Sequence, residues 1–204
     1  AAGLLLQKEV EFLNISDYNK LSLIVGGAKV ESKLPVILNF IDKASSILTG
    51  GVVANTLLVS SGKNVAASLV EKDSLELAAS VIASTSKSKS SKLYLPQDYL
   101  AATSIDSKEG ALCDSSSLKD DHLILDLGKE TITDYQDQLG DSDTIIWAGT
   151  LGYAENPIFA EASKRILDYL LKLKAKNESL KIIIGGGDTV DFVRGYLDQD
   201  QQAQ

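Results

Sequence analysis

Three short apolar runs in this chain end directly in glycine clusters. Residues 21–25 run into Gly26-Gly27, residues 47–49 into Gly50-Gly51, and residues 181–184 into Gly185-Gly186-Gly187. An amphipathic segment begins soon after each cluster. Further apolar runs of the same kind occupy residues 93–95, 123–126 and 144–147. Short, β-branched or leucine-rich runs of this kind read as strands buried on both faces. Helical periodicity lies between them. Residues 33–43 place Leu34, Ile37, Leu38 and Ile41 on one side, and residues 73–84 carry Leu75, Leu77, Ala78, Val81 and Ile82. Residues 157–171 open on Pro157, which suits a first helical turn, and carry Phe159, Ile166, Leu167 and Leu170. Alternation of this kind predicts an α/β fold: a three-layer, doubly wound, Rossmann-like domain around a six-stranded parallel sheet.

The segments between these runs are less regular. The serine- and lysine-rich residues 84–91 read as a solvated connector, residues 99–116 as irregular with room for edge strands, and the polar tail 198–204 as a fraying end. There is no internal repeat and no strong domain boundary.

Composition excludes several classes. With 28 acidic against 20 basic residues, a net charge of −8, the chain is not a bulk electrostatic nucleic-acid binder. Its longest apolar runs, such as residues 4–6 and 182–184, fall far short of the ~18–20 residues a membrane span needs. No basic residue precedes the first apolar run, so residues 1–6 do not read as a signal peptide. One cysteine, Cys113, excludes an internal disulfide framework and fits a reducing compartment.

The glycines carry the functional reading. In an open parallel sheet, ligands bind beyond the carboxyl ends of the strands. Glycine there permits positive φ and close backbone approach, and the following helix N-terminus offers N–H groups to an anion. Any one glycine pair can be only a tight turn; three on one sheet edge point to a nucleotide or phosphate site. The first cluster, Gly26-Gly27-Ala28-Lys29-Val30-Glu31-Ser32-Lys33, is not a Walker A loop, which needs glycine directly before its lysine. It does set two lysines four residues apart at a helix start, where like charges oppose the helix dipole unless an anion lies between them. In Gly185-Gly186-Gly187-Asp188-Thr189, Asp188 and Thr189 can cap the next helix, and Asp188 can also hold Mg²⁺ beside phosphate oxygens. A fourth loop, Trp147-Ala148-Gly149-Thr150-Leu151-Gly152-Tyr153-Ala154-Glu155, ends in a glutamate suited either to a ribose hydroxyl pair or to a first helical turn.

Taken in order, Gly26-Gly27-Ala28-Lys29-Val30-x-x-Lys33, Gly50-Gly51-x-x-Ala54-x-Thr56, Trp147-x-Gly149-x-x-Gly152-x-x-Glu155 and Gly185-Gly186-Gly187-Asp188-Thr189 resemble the phosphoglycerate kinase family. So do Ser68-Leu69-Val70, Leu95-Pro96-x-Asp98 and Leu125-Asp126-x-Gly128. The likeness runs from Leu5 to about Val193 and is to the C-terminal, nucleotide-binding half of that family, so residues 1–204 are expected to form that domain, with the N-terminal substrate domain absent.

The resemblance implies reversible phosphoryl transfer between 1,3-bisphosphoglycerate and MgADP, giving 3-phosphoglycerate and ATP in glycolysis. It implies a cytoplasmic enzyme, monomeric when full length, that reaches phosphoglycerate only through the missing domain. It assigns Lys29 to the migrating phosphoryl group, with Gly186 and Gly187 beside it. Lys33 would contact nucleotide phosphates, Asp188 the Mg²⁺, and Thr189 with Gly185 the phosphate cradle. Gly26, Gly27 and Ala28 would line the nucleotide loop, and Glu155 would take the ribose. Gly50, Gly51, Leu69, Gly128 and Tyr153 would wall the adenine. Such chemistry needs positioning and charge neutralisation rather than a nucleophile, so His122 and Cys113 are expected to be structural.

Three residues depart from the family pattern. Ala148 and Thr150 replace the asparagine and proline of Trp-Asn-Gly-Pro, and Tyr153 replaces a small aliphatic residue. These departures leave open a degenerate relative acting as a non-catalytic binding or structural module.

Overall fold

A computed structural model describes residues 20–203, with side chains described through residue 198; the apolar residues 4–6 lie outside it. In chain order its elements are β1 (Leu21–Val25), α1 (Val30–Phe40), β2 (Ser46–Thr49), α2 (Gly51–Ser60), α3 (Leu75–Lys87) and β3 (Lys92–Tyr94). Then follow β4 (Asp98–Ala102), β5 (Ala111–Asp114), β6 (Leu123–Leu127), α4 (Lys129–Gly140), β7 (Thr144–Ala148), α5 (Glu161–Lys176), β8 (Lys181–Gly185) and α6 (Gly187–Ala203).

The main sheet is parallel and runs β3-β2-β1-β7-β8. Among its own strands this is the order third, second, first, fourth, fifth, so the winding reverses between β1 and β7. That reversal opens a crevice at the carboxyl ends of those two strands. Leu23, Val25, Ile47 and Ile146 pack under α1, α2 and α3, joined by Leu34, Ile37, Leu57 and Val81. Ile24, Leu48, Ile145 and Trp147 pack under α4 and α5, joined by Tyr135, Ile166 and Leu170. Adjacent residues of β1 feed opposite cores, which is why the strand is apolar but for Ser22, whose buried hydroxyl is bonded to those of Ser46 and Ser142.

The sheet has five strands, not six. The run expected at residues 123–126 does form a strand, but β6 pairs antiparallel with β4, and β4 pairs antiparallel with β5, in a separate three-stranded sheet. The extra strands anticipated in residues 99–116 are therefore the partners that take β6 from the main sheet. Helix α3 runs to Lys87 and absorbs half of the expected connector, and α6 continues through the polar tail to Ala203.

Helix α4 is capped from a distance. The residue before α4 is Gly128, which has no side chain to cap with. Asp98 does it instead: its carboxylate accepts from the N–H groups of Glu130 at 3.0 Å and Thr131 at 2.8 Å. A Cβ on Gly128 would lie 2.1 Å from that carboxylate. Deeper in α4, the buried Tyr135 hydroxyl donates to the carbonyls of Thr49 (2.7 Å) and Tyr94 (3.1 Å) and accepts from Thr49 N–H. It thus closes the ends of β2 and β3 where their ladder stops.

Candidate functional site

The crevice holds a cleft of about 380 Å³, within the range of small-ligand sites. Its floor is made by two loops meeting backbone to backbone. Gly26 N–H donates to the Ala148 carbonyl at 2.9 Å and Gly27 N–H to that of Thr150 at 2.8 Å. A Cβ on Gly26 would sit 2.1 Å from Thr150 O, and one on Gly149 2.0 Å from Gly26 O. Gly149 also has φ +99°. These glycines are small so that one loop can lie on the other.

The three glycine-led helix starts are not equivalent. At α2, Gly51 N–H donates to Leu151 O at 2.8 Å and Val53 N–H to Gly27 O at 3.3 Å, so carbonyls occupy that end. Helix α6 differs. Gly187 and Asp188 N–H have no hydrogen-bond partner among the described residues, and a Cβ on Gly187 would meet nothing within 4 Å. This is the start that faces open space, where an anion has room. The helix begins at Gly187, so Asp188 and Thr189 lie inside its first turn and neither is its cap. Thr189 is buried, and its Oγ1 accepts from Gly149 N–H at 2.6 Å, tying α6 to the β7 loop.

Two ammonium groups stand at this end. Lys29 stands just before the first residue of α1 without a capping bond from its side chain, and its Nζ lies 3.5 Å from the Asp188 carboxylate, both side chains well exposed. Lys33, one turn into α1, is half-buried and comes up beside Gly186. Burial lowers its pKa, Asp188 acts in the opposite sense, and Lys29 lowers it further. Its ammonium makes no hydrogen bond among the described residues. Asp188 is a lone exposed carboxylate, and no cluster of three metal-ligating side chains occurs among the described residues. That donor set suits Mg²⁺ arriving on phosphate oxygens rather than a resident ion.

The other end of the cleft is apolar. Val52, Leu69, Leu123, Leu125, Tyr153 and Ile105 line it. Leu69 is 67% exposed, unusual for a leucine lacking a partner surface. The buried Asn55 amide donates to Leu69 O at 3.3 Å and fixes that strand of chain. Tyr153 N–H donates to Leu125 O at 2.8 Å, which sets the loop after β7 against β6. Glu155 is exposed and precedes Asn156, the residue that caps the following turn, so it is not a first-turn glutamate.

Of the residues singled out from sequence, Gly26, Gly27, Ala28, Lys29, Lys33, Gly51, Leu69, Tyr153, Glu155, Gly186, Gly187, Asp188 and Thr189 line the cleft. Gly50, Gly128 and Gly185 do not. Gly50 is buried against Leu151, Gly128 against Asp98, and Gly185 ends β8 in register with Ala148. The departures divide likewise: Ala148 is buried in the core, whereas Thr150 and Tyr153 line the cleft. His122 bonds Asp121 at 2.8 Å and Cys113 lies on β5; neither reaches the cleft. Sequence reasoning missed Ser32, Asn55 and Ile105. A polar Asn55 inside the apolar run of α2 was the available signal; Ile105, in an irregular segment, gave none.

One buried carboxylate supports the site from behind. Asp126 accepts from the N–H groups of Leu127 and Ala162, both at 2.9 Å, and a Cβ on Gly152 would lie 2.2 Å from it. Burial pushes its carboxyl up to about 7, against the pull of those N–H donors and with a small push from Glu161. Between roughly pH 4 and 7 the folded chain keeps a proton that the unfolded chain has lost, so this group makes stability fall as pH rises. From pH 5 to 7 the loss amounts to about 2–3 kcal/mol. Urea unfolding of wild type and Asp126→Asn at both pH values should show the difference in stability moving by that amount in the variant's favour. Parallel pH profiles would refute the assignment.

No helix among the described residues is long and apolar enough to cross a membrane. The model of the family described as phosphoglycerate kinase matches residues 1–203. Phosphoglycerate kinase from Finegoldia magna is 35% identical over 98% of this chain and 50% of its own length. A chloroplastic phosphoglycerate kinase from Volvox carteri is 37% identical over 94% of this chain and 42% of its own. The solved phosphoglycerate kinase of Coxiella burnetii superposes with a TM-score of 0.83 at 28% identity, covering 97% of this chain and 50% of that one. The chain thus spans about half the length of the curated relatives it matches. A match over almost every residue, with the fold shared as well, makes this chain a member of the phosphoglycerate kinase family.

Proposed function

We propose that the chain is the nucleotide-binding half of a phosphoglycerate kinase and takes ADP or ATP with Mg²⁺ in the cleft at the β1–β7 crevice. The observation that carries this reading is the cleft's polarity. One end has two ammonium groups and an open helix start, and the other has apolar walls, so it suits a ligand with an anionic tail and a flat apolar head. Lys33 and the N–H groups of Gly187 and Asp188 would hold the nucleotide phosphates, with Thr189 and Gly185 keeping that helix start in place. Lys29 and the backbone at Gly186 and Gly187 would face the phosphoryl group in transfer, where fixed positive charge lowers the barrier. Asp188 would hold Mg²⁺, which supplies charge neutralisation at the phosphate oxygens. Glu155 would take the ribose, and Leu69 and Tyr153 the base.

On this reading the acyl phosphate of 1,3-bisphosphoglycerate comes from a substrate domain outside these residues. Closure of two lobes then brings the substrates together and excludes water. The chain alone binds nucleotide without completing transfer. The full-length enzyme would be a cytoplasmic monomer in glycolysis. Calorimetric titration with ADP, with and without Mg²⁺, tests this directly: saturable binding is expected, and a flat titration at millimolar ADP would sink it.

A further inference from the structure

We propose that Asn156 is a positioning residue for the base end of the cleft. Its carboxamide holds the loop of residues 103–110 so that Ile105 forms one wall against the purine. The inference rests on the nucleotide reading above and adds a residue that no motif points to.

The loop joins β4 to β5 and is eight residues long, with nearly all of it exposed. Its internal bonding is slight: Ser107 N–H to Ser104 O at 3.1 Å and Asp106 N–H to Ser104 Oγ at 3.2 Å. Outside the β4–β5 ladder, only two hydrogen bonds tie it to the rest of the chain among the described residues. Both come from Asn156 Nδ2, to Ile105 O at 2.8 Å and to Ser107 O at 2.9 Å. The same side chain uses its other atom elsewhere, with Oδ1 accepting from Ile158 N–H at 3.1 Å. One carboxamide therefore does two things. Its oxygen caps the turn that leads into α5, and its nitrogen clamps a loop 49 to 51 residues away in sequence.

The clamped loop carries an unpaid apolar surface. Ile105 is 41% exposed yet lines the cleft with Leu123, Leu125 and Tyr153. A long exposed loop would not hold a β-branched side chain at one place on a cleft wall without an anchor. The two donors of Asn156 supply it, and they lie directly after Glu155, so the ribose end and the base end are set by consecutive residues. Only an amide does both jobs, because a carboxylate accepts but cannot donate.

Asn156→Asp separates the two roles. The carboxylate still accepts from Ile158 N–H and is favoured at a helical start, so a residue that merely caps would leave the thermal midpoint and ligand binding as they were. Loss of both donors to the loop carbonyls is expected instead to weaken ADP binding about tenfold, with the midpoint little changed. Inorganic pyrophosphate, which has no base, should bind wild type and variant alike. Ile105→Ser, at an exposed position, should give the same pattern and carries the test if Asn156→Asp fails to fold. Unchanged ADP affinity in either variant overturns the inference. Equal losses for ADP and pyrophosphate overturn it too, since added charge or general damage would then explain the effect. If wild type binds no ADP, the nucleotide reading falls and this inference with it; if wild type binds and the variants match it, this inference alone falls.

Discussion

Gly149→Ala is expected to destabilise the fold by roughly 2–6 kcal/mol. A residue with a Cβ held at φ +99° costs about 1–3 kcal/mol in backbone strain. Its Cβ would also stand 2.0 Å from Gly26 O and 2.3 Å from Gly26 C. Those are backbone atoms of a loop whose own N–H groups are bonded to Ala148 and Thr150, so they cannot move aside without breaking those bonds. Overpacking of that kind adds about 1–3 kcal/mol more. Gly187→Ala is the informative contrast. Its Cβ meets nothing within 4 Å, and it opens a helix, where alanine is favoured over glycine by up to about 1 kcal/mol. The expectation is a fold at least as stable as wild type with weakened nucleotide binding, because the empty space is where the phosphates would lie. Urea unfolding and ADP titration on the two variants measure both halves. Equal stability losses would mean that the glycines of the two loops do the same job.

That contrast shows where sequence reading stops. The clusters were legible because strand, glycine and helix follow in order, and the α/β class came from the same alternation. What each glycine faces was not, because it depends on chain brought in from far away. Gly128 is small on account of Asp98, and Gly26 on account of Thr150, separations of 30 and 124 positions that no local motif encodes. The sixth strand failed for a related reason. Leu123–Leu127 is apolar enough for either sheet, and its partner was decided by β4, a strand hidden in a segment that reads as irregular. The start of α1 also shifted. Periodicity placed it near Lys33, but Val30 is its first residue, which leaves Lys29 just outside the helix and Lys33 one turn inside it, at different depths. Cleft walls outside the motifs, Ile105 above all, depend on tertiary contacts and left no mark in the pattern.

Those different depths lead to the second large effect. Lys29 is exposed and already has Asp188 nearby, whereas Lys33 is half-buried with no hydrogen bond among the described residues. A desolvated cation without a bonded partner works against folding, and functional sites are where chains tolerate such conflicts. Lys33→Ala is therefore expected to leave the free chain no less stable while weakening ADP binding about 10- to 100-fold, in line with ~1.5–3 kcal/mol for a hydrogen bond to a charged group. The pH dependence follows from the same burial. In the free chain the Lys33 pKa is lowered, first by desolvation and then by Lys29, with only Asp188 opposing. Phosphates bound beside it would raise it again. In the window between the free and bound values, binding takes up a proton, so affinity must fall as pH rises through that window. Wild type should show this alkaline loss of ADP affinity and Lys33→Ala should lack it. Calorimetry in buffers of different ionisation enthalpy would register the proton directly. An unchanged affinity in Lys33→Ala, or an alkaline loss that persists without the lysine, would remove Lys33 from the phosphate site and leave its burial in need of another cause.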